Sequence, residues 1–156
     1  MEPTYSDYSA QALAASGLAS EQLGIDVTTP SGEAAVALTT GMATELYEEF
    51  PTGSVAGFEI GALIAILLPF LIEQLKKSFG IVGPEGVYRQ VRLQGFWAKF
   101  RAQQAVDKFE RKHRVDLTGR EEQRLNRALV RSNRHVSDAQ LRTMLQEVKL
   151  NVADVD

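Results

Sequence analysis

A long apolar segment in the middle of the chain constrains its fold more than any other feature. Between residues 52 and 72 the only ionisable side chain is that of Glu59, and between residues 60 and 72 no side chain is polar. As an α-helix at about 1.5 Å per residue, residues 52–72 would extend about 31 Å, close to the thickness of a bilayer's hydrocarbon core. We therefore predict an apolar helix over 52–75 that spans a membrane. The alternative is a helix buried at the centre of a soluble helical assembly.

Small residues recur within this segment at a spacing of four. They are Gly53, Gly57, Gly61 and Ala65. On a helix they would share one face, and a face without large side chains lets a second helix approach closely. We therefore predict that this face mediates self-association into a homo-oligomer. Glu59 would lie on the opposite face, where a carboxyl group inside a bilayer is protonated, paired or exposed to a water-filled pore. The alternative is that Glu59 lies at the membrane interface and has no special role.

Charge is distributed very unevenly along the chain. The protein has 17 Lys and Arg against 20 Asp and Glu, a net charge of −3, yet every basic residue follows position 75. Residues 1–75 therefore carry −10 and residues 76–156 carry +7. Lys76 and Lys77 directly follow the apolar segment, and positive charge beside a membrane helix favours the cytoplasmic side. This predicts that the basic half faces the cytoplasm or an interior derived from it; the alternative is that the two halves pack on each other.

Helical patterns lie on both sides of the apolar segment. The acidic segment 1–51 contains a short Ala-rich helix over 6–17 and an amphipathic helix that begins near Glu33 and stops at Pro51. The basic region 76–156 contains a helix over 87–114 and two further helices, which begin at capping boxes over 118–121 and 137–140. These patterns predict an all-α protein without a sheet, organised as segments 1–51, 52–75 and 76–156.

An arginine stripe marks the helix that follows the first capping box. Its members recur at steps of four and three residues, so they lie within about 40° of one line along a helix. They are Arg120, Arg124, Arg127, Arg131 and Arg134. Aligned guanidinium groups repel one another unless an anion lies opposite, and phosphate is a natural match. We predict that the arginine stripe binds nucleic acid or anionic lipid; the alternative is a protein partner with carboxylates, such as the acidic N-terminal half.

Aromatic residues recur at helical spacing near several basic residues. Phe96, Trp97 and Phe100 lie close in sequence to Lys99 and Arg101. Aromatic rings beside cations can stack on nucleic-acid bases, but helically spaced aromatics more often belong to a core. We therefore assign this cluster to the core.

Several chemistries lack the residues that they need. Cysteine is absent, which excludes disulfides, thiol catalysis and cysteine-ligated metals within this sequence. The two histidines, His113 and His135, are far apart in sequence and have no carboxylate cluster between them. Neither a phosphate-binding glycine loop nor a Gly-x-Ser-x-Gly nucleophile turn occurs. We predict that the protein is not an enzyme and has no cofactor and no metal site.

Together these features predict a structural or channel-forming subunit inserted in a membrane. It would self-associate through the small-residue face, and its basic half would hold nucleic acid or anionic lipid. A phage or viral virion protein, or one that delivers a genome, would combine these features and would contact other virion proteins. The alternative is a helical scaffold protein whose apolar helix is buried in subunit contacts, and a small enzyme is the third hypothesis.

Overall fold

The computed structural model describes residues 28–79 and 95–147 and shows a mostly helical protein with one short hairpin. Its helices and strands follow one another along the chain. They are α1 (Pro30–Glu49), β1 (Ser54–Val55), β2 (Phe58–Glu59), α2 (Ile60–Phe79), α3 (Gly95–His113), α4 (Gly119–Ser132), a 3₁₀ turn (Asn133–His135) and α5 (Asp138–Glu147). The all-α prediction is confirmed at this level, while the prediction that no sheet occurs is wrong. The helix predicted over 6–17 lies outside the described residues.

Helix α1 begins and ends where its sequence signals lie. The Thr29 hydroxyl accepts a hydrogen bond from the backbone N–H of Gly32 at 3.1 Å, and Pro30 occupies the first turn, where its missing N–H is not needed. The helix ends before Pro51, as predicted. Leu38, Met42 and Leu46 are fully buried along one face, which confirms the amphipathic pattern read from the sequence.

A β-hairpin occupies the start of the predicted apolar helix. Val55 pairs with Phe58 and Ser54 pairs with Glu59, so Ala56 and Gly57 form a two-residue loop. Both loop residues have positive φ (50° and 87°), as a type I′ turn requires. The prediction of a helix over 52–75 is therefore wrong for residues 52–59, because turn-forming residues interrupt the apolar run before position 60.

Helix α2 carries the apolar run and lies at the centre of the bundle. Its largest buried side chains are fully covered; they are Ile60, Leu63, Ile64, Leu67, Leu68, Phe70 and Leu71. The neighbouring helices α1, α3 and α5 cover them. Within residues 28–79 and 95–147, no helix is both long enough and apolar enough to cross a membrane.

The C-terminal helices complete a single hydrophobic core with α1 and α2. Helix α3 contacts both α2 and α4, and its buried alanines, Ala98, Ala102 and Ala105, allow these neighbours to approach closely. Both predicted capping boxes are present. Thr118 and Glu121 exchange side-chain-to-backbone hydrogen bonds at 3.0 and 3.2 Å, and Ser137 and Gln140 do the same at the start of α5.

Candidate functional site: a basic groove between α3 and α4

The arginine stripe runs along α4 and into the 3₁₀ turn. Arg120, Arg127, Arg131 and Arg134 are exposed and Arg124 is half-buried. The opposite side of α4 buries Leu125, Ala128 and Leu129 against the rest of the bundle. Burial of the apolar side thus leaves the arginines at the surface, as the helical period of the sequence implies.

One residue, Glu49, meets three of these arginines: two through its carboxylate and one through its backbone carbonyl. It lies in the last turn of α1, and its side chain is only 8% exposed. Arg127 and Arg131 approach Glu49 Oε1 at 3.3 and 3.7 Å, and Arg124 donates to the Glu49 carbonyl oxygen at 3.4 Å. Helix α1 has no basic residue in its last turn, so these arginines also supply the positive charge that stabilises a helix C-terminus. The acidic N-terminal half therefore does contact the arginine stripe.

On its other side, the stripe lines a groove between α4 and α3, which we call the basic groove. The basic groove has a volume of about 730 Å³, within the range of ~300–1,000 Å³ that is typical of ligand sites. Its lining combines four cations, three amides and two apolar side chains: Lys99, Arg127, Arg131 and Arg134; Gln103, Gln123 and Asn126; Phe100 and Val130. Among its described lining residues none is acidic.

Hydrogen bonds between side-chain amides hold the two walls of the basic groove together. The Asn126 amide of α4 donates to the Lys99 carbonyl oxygen of α3 at 2.9 Å and to Gln103 Oε1 at 3.2 Å. Gln103 in turn donates to Asp107 Oδ1 at 2.9 Å, one turn further along α3. The groove is thus bounded by two rigid helices rather than by loops, which favours a preformed site.

The surplus of positive charge makes the basic groove a candidate anion site. Arg127 and Arg131 share the single carboxylate of Glu49, which offsets roughly one of their two positive charges. Lys99 and Arg134 line the same groove. Arg127 and Arg131 remain 52% and 45% exposed while they contact Glu49, so their guanidinium groups retain donors for a second anion. A phosphate in the groove would accept hydrogen bonds from such donors.

Acidic residues gather at the opposite end of the same helix pair. Carboxylate oxygens of Asp107 and Glu110 on α3 and Glu122 on α4 lie within 4.8 Å of one another. Burial, a hydrogen bond with Glu122 and the charges of Glu122 and Asp107 together raise the pKa of Glu110 to about 7. The raised pKa favours the neutral form of Glu110, which lowers the repulsion among the three carboxyl groups. We call this group the acid cluster.

The remaining predicted site residues do not form one surface. Gly53 directly precedes the hairpin and Gly57 lies in its loop, with φ of 83° and 87°, whereas Gly61 and Ala65 lie in α2. The prediction that these four line one helix face is wrong, because the first two serve turns. Glu59 is exposed at the end of β2.

The two lysines predicted at a membrane interface follow the apolar run on α2. Lys77 is exposed and pairs with Glu73 at 3.0 Å, and Lys76 is half-buried. Burial opposes ionisation of Glu73, but hydrogen bonds from Lys108 and Lys77 outweigh it and hold the pKa of Glu73 below its ordinary value. In this fold Lys77 therefore contributes to an ion-pair network that joins α2 to α3.

Sequence reasoning missed six of the nine residues that line the basic groove. Lys99, Gln103 and Asn126 were not singled out as site residues, and the aromatic cluster was assigned to the core. Phe100 is in fact 42% exposed and lines the groove, so that assignment is wrong for Phe100. The side chains of Phe96 and Trp97 lie outside the described residues. The signal that could have identified Phe100 is the helical period, because Phe100 lies two residues, about 200° around the helix, from the buried Ala98 and Ala102.

Comparisons with protein-family models, with curated proteins and with solved structures found no match to this chain.

Proposed function

We propose that this protein binds a phosphate-bearing partner in the basic groove. The observation that carries the proposal is the convergence of Lys99, Arg127, Arg131 and Arg134 on one concave surface, with no acid among its described lining residues. Helical spacing aligns Arg127, Arg131 and Arg134, and the packing of α3 against α4 brings Lys99 to them. Anion binding would relieve the mutual repulsion of Arg127 and Arg131, which share the one carboxylate of Glu49.

Binding of this kind has a characteristic salt dependence. A phosphate polymer releases condensed counterions when cations neutralise it, and the slope of log K against log salt is about −0.7 per phosphate contact for a single strand. Four groove cations would therefore give a slope of roughly −3 if each met one phosphate.

The test is a binding titration with the full-length protein. The probes are a labelled single-stranded oligonucleotide, inorganic polyphosphate and vesicles that contain anionic phospholipid. We expect Lys99→Gln with Arg134→Gln to lower affinity about 10- to 100-fold and to flatten the salt slope by about one to two units. The matched control is Arg111→Gln with Arg120→Gln, which removes the same charge from exposed positions that do not line the groove.

The control separates a site from a general effect of charge. Equal losses from the two double variants would show that net charge alone attracts the anion and would contradict the proposal. Absence of binding to all three probes at low salt would contradict it as well. Circular dichroism of each variant checks that the helices persist.

A membrane-inserted, self-associating subunit is the second candidate function. It rests on the apolar composition of α2 and on Lys76 and Lys77 in its last turn. Because α1, α3 and α5 cover α2 in the folded chain, insertion would require α2 to separate from these neighbours. Flotation with anionic vesicles tests this: an inserted chain stays with the vesicles in high salt, whereas a chain held only by the basic groove is released. Release in high salt would contradict insertion.

A further inference from the structure

Phe100 distinguishes the basic groove from a surface that only attracts charge. It is the exposed large hydrophobic side chain of the described residues, with 42% of its area open to solvent. It lies in the groove lining with Lys99 beside it in sequence and with Arg131 and Arg134 on the facing helix and 3₁₀ turn. An exposed aromatic ring among cations matches the composition of sites that bind single-stranded nucleic acid.

The surroundings of Phe100 restrain its ring. The Arg101 guanidinium lies 6.0 Å from the ring centroid, and Arg101 also donates to Gln74 of α2 at 3.4 Å. Arg101 does not line the groove, so this contact restrains the ring from outside it. An aromatic ring that is already restrained loses little conformational freedom when a ligand stacks on it.

The amides of the groove supply a second kind of contact. Gln123 is exposed, and Asn126 uses its amide nitrogen for Lys99 and Gln103. The carbonyl oxygen of the Asn126 side chain and both groups of Gln123 suit the donors and acceptors on base edges. A lipid headgroup would use the cations but would leave base-like hydrogen bonds and aromatic stacking without a counterpart.

From these contacts we infer that the basic groove binds single-stranded nucleic acid, with a base stacked on Phe100 and phosphates on the surrounding cations. This inference rests on the proposed function and specifies its ligand. A single strand fits better than a duplex because a duplex keeps the faces of its bases stacked inside the helix, where a side chain in a concave groove does not reach them.

The experiment compares two strands with the same backbone charge, using full-length protein and fluorescence anisotropy. One probe is an oligothymidylate and the other is an abasic strand of the same length. We expect the protein to prefer the oligothymidylate about 10-fold, because stacking on an aromatic side chain favours each stacked base. Phe100→Leu should abolish this preference, Phe100→Trp should keep it, and neither should change binding of the abasic strand.

The outcomes separate this inference from the function on which it rests. Equal binding of the two strands, or a preference that survives Phe100→Leu, would overturn base stacking while leaving anion binding intact. Binding to anionic vesicles without binding to either strand would overturn the inference and assign the groove to lipid. Failure of the protein to bind any polyanion would overturn the proposed function itself. Because Phe100 is exposed, Phe100→Leu should fold, and its helical circular dichroism spectrum checks this.

Discussion

The α3–α4 pair gathers carboxyl groups at one end and cations at the other, and the repulsion between like charges is relieved differently in the two groups. At one end the acid cluster places Asp107, Glu110 and Glu122 together, and at the other end the basic groove gathers four cations. A carboxyl group can take up a proton and become neutral, and the raised pKa of Glu110 favours this neutral form. Arginine stays charged at any physiological pH, so the cationic end needs an anion instead.

Glu49 supplies the arginine stripe with an anion from within the fold. One buried carboxylate contacts Arg127 and Arg131, and its backbone oxygen accepts from Arg124. Protonation of Glu110 removes one of the three negative charges of the acid cluster, whereas Arg127 and Arg131 keep their charges and share one carboxylate. This difference is why we assign a binding role to the groove and a structural role to the acid cluster.

Removing the negative charge of Glu49 should lower the stability of the protein but raise the affinity of the basic groove for an anion. We expect Glu49→Gln to lower the free energy of unfolding by about 1–2 kcal/mol, a value reduced for the half-exposed arginines that it contacts. The same change should raise oligonucleotide affinity about fivefold, because the groove gains one unit of positive charge. Chemical denaturation and anisotropy measure the two effects.

Glu48→Gln is the matched control for this prediction. It changes net charge equally at an exposed neighbouring position on α1, so we expect a change in unfolding free energy within about 0.5 kcal/mol. If Glu49→Gln left stability unchanged, or weakened oligonucleotide binding, then the proposal that Glu49 and a bound anion both neutralise the same arginines would be wrong.

The stability that the acid cluster contributes should fall as pH rises, whereas the stability from an ordinary carboxylate salt bridge falls as pH is lowered. Because the pKa of Glu110 is raised to about 7 from an ordinary value of 4.5, the folded chain binds the extra proton between these values. The stability that this proton contributes is complete below about pH 4.5 and is lost as pH rises through about 7. We expect Glu110→Gln to remove this pH dependence and to stabilise the protein at about pH 8 by roughly 1 kcal/mol, since a neutral amide can still donate to Glu122.

Thermal unfolding at several pH values tests this prediction. Glu147→Gln, at an exposed position near the end of α5, is the control and should leave the pH profile unchanged. If the stability of Glu110→Gln depended on pH in the same way as that of the unchanged protein, the raised pKa of Glu110 would be contradicted.

Features written in a few adjacent residues could be predicted from the sequence. Both capping boxes, the end of α1 before Pro51 and the amphipathic face of α1 depend on residues within one or two turns. The arginine stripe was also predictable as a surface line, because helical period alone places Arg127 and Arg131 opposite Leu125 and Leu129.

Features that depend on distant partners could not be predicted. The same apolar run suits a bilayer or a protein core, and only the packing of α1, α3 and α5 shows what covers α2 in this fold. The four-residue spacing of Gly53 and Gly57 suggested a helix face, yet positive φ at turns explains both glycines. Helix α4 is distant in sequence from three residues that matter at the site, and only the fold brings it against them: Glu49, Lys99 and Phe100.

The smallest expected effects come from the two capping boxes, which flank the opposite ends of α4. Thr118 precedes α4 at the acid cluster, and Ser137 follows the arginine stripe before α5. We expect Thr118→Ala and Ser137→Ala each to lower the free energy of unfolding by about 0.5–1 kcal/mol, because each leaves a backbone N–H of the first turn without its acceptor. Oligonucleotide affinity should change less than about twofold, since neither residue lines the basic groove. Thr118→Ser keeps the hydroxyl group and serves as the control in thermal unfolding. A Ser137→Ala variant that lost affinity as strongly as the Lys99 and Arg134 double variant would show that the start of α5, rather than groove charge alone, determines where Arg134 lies.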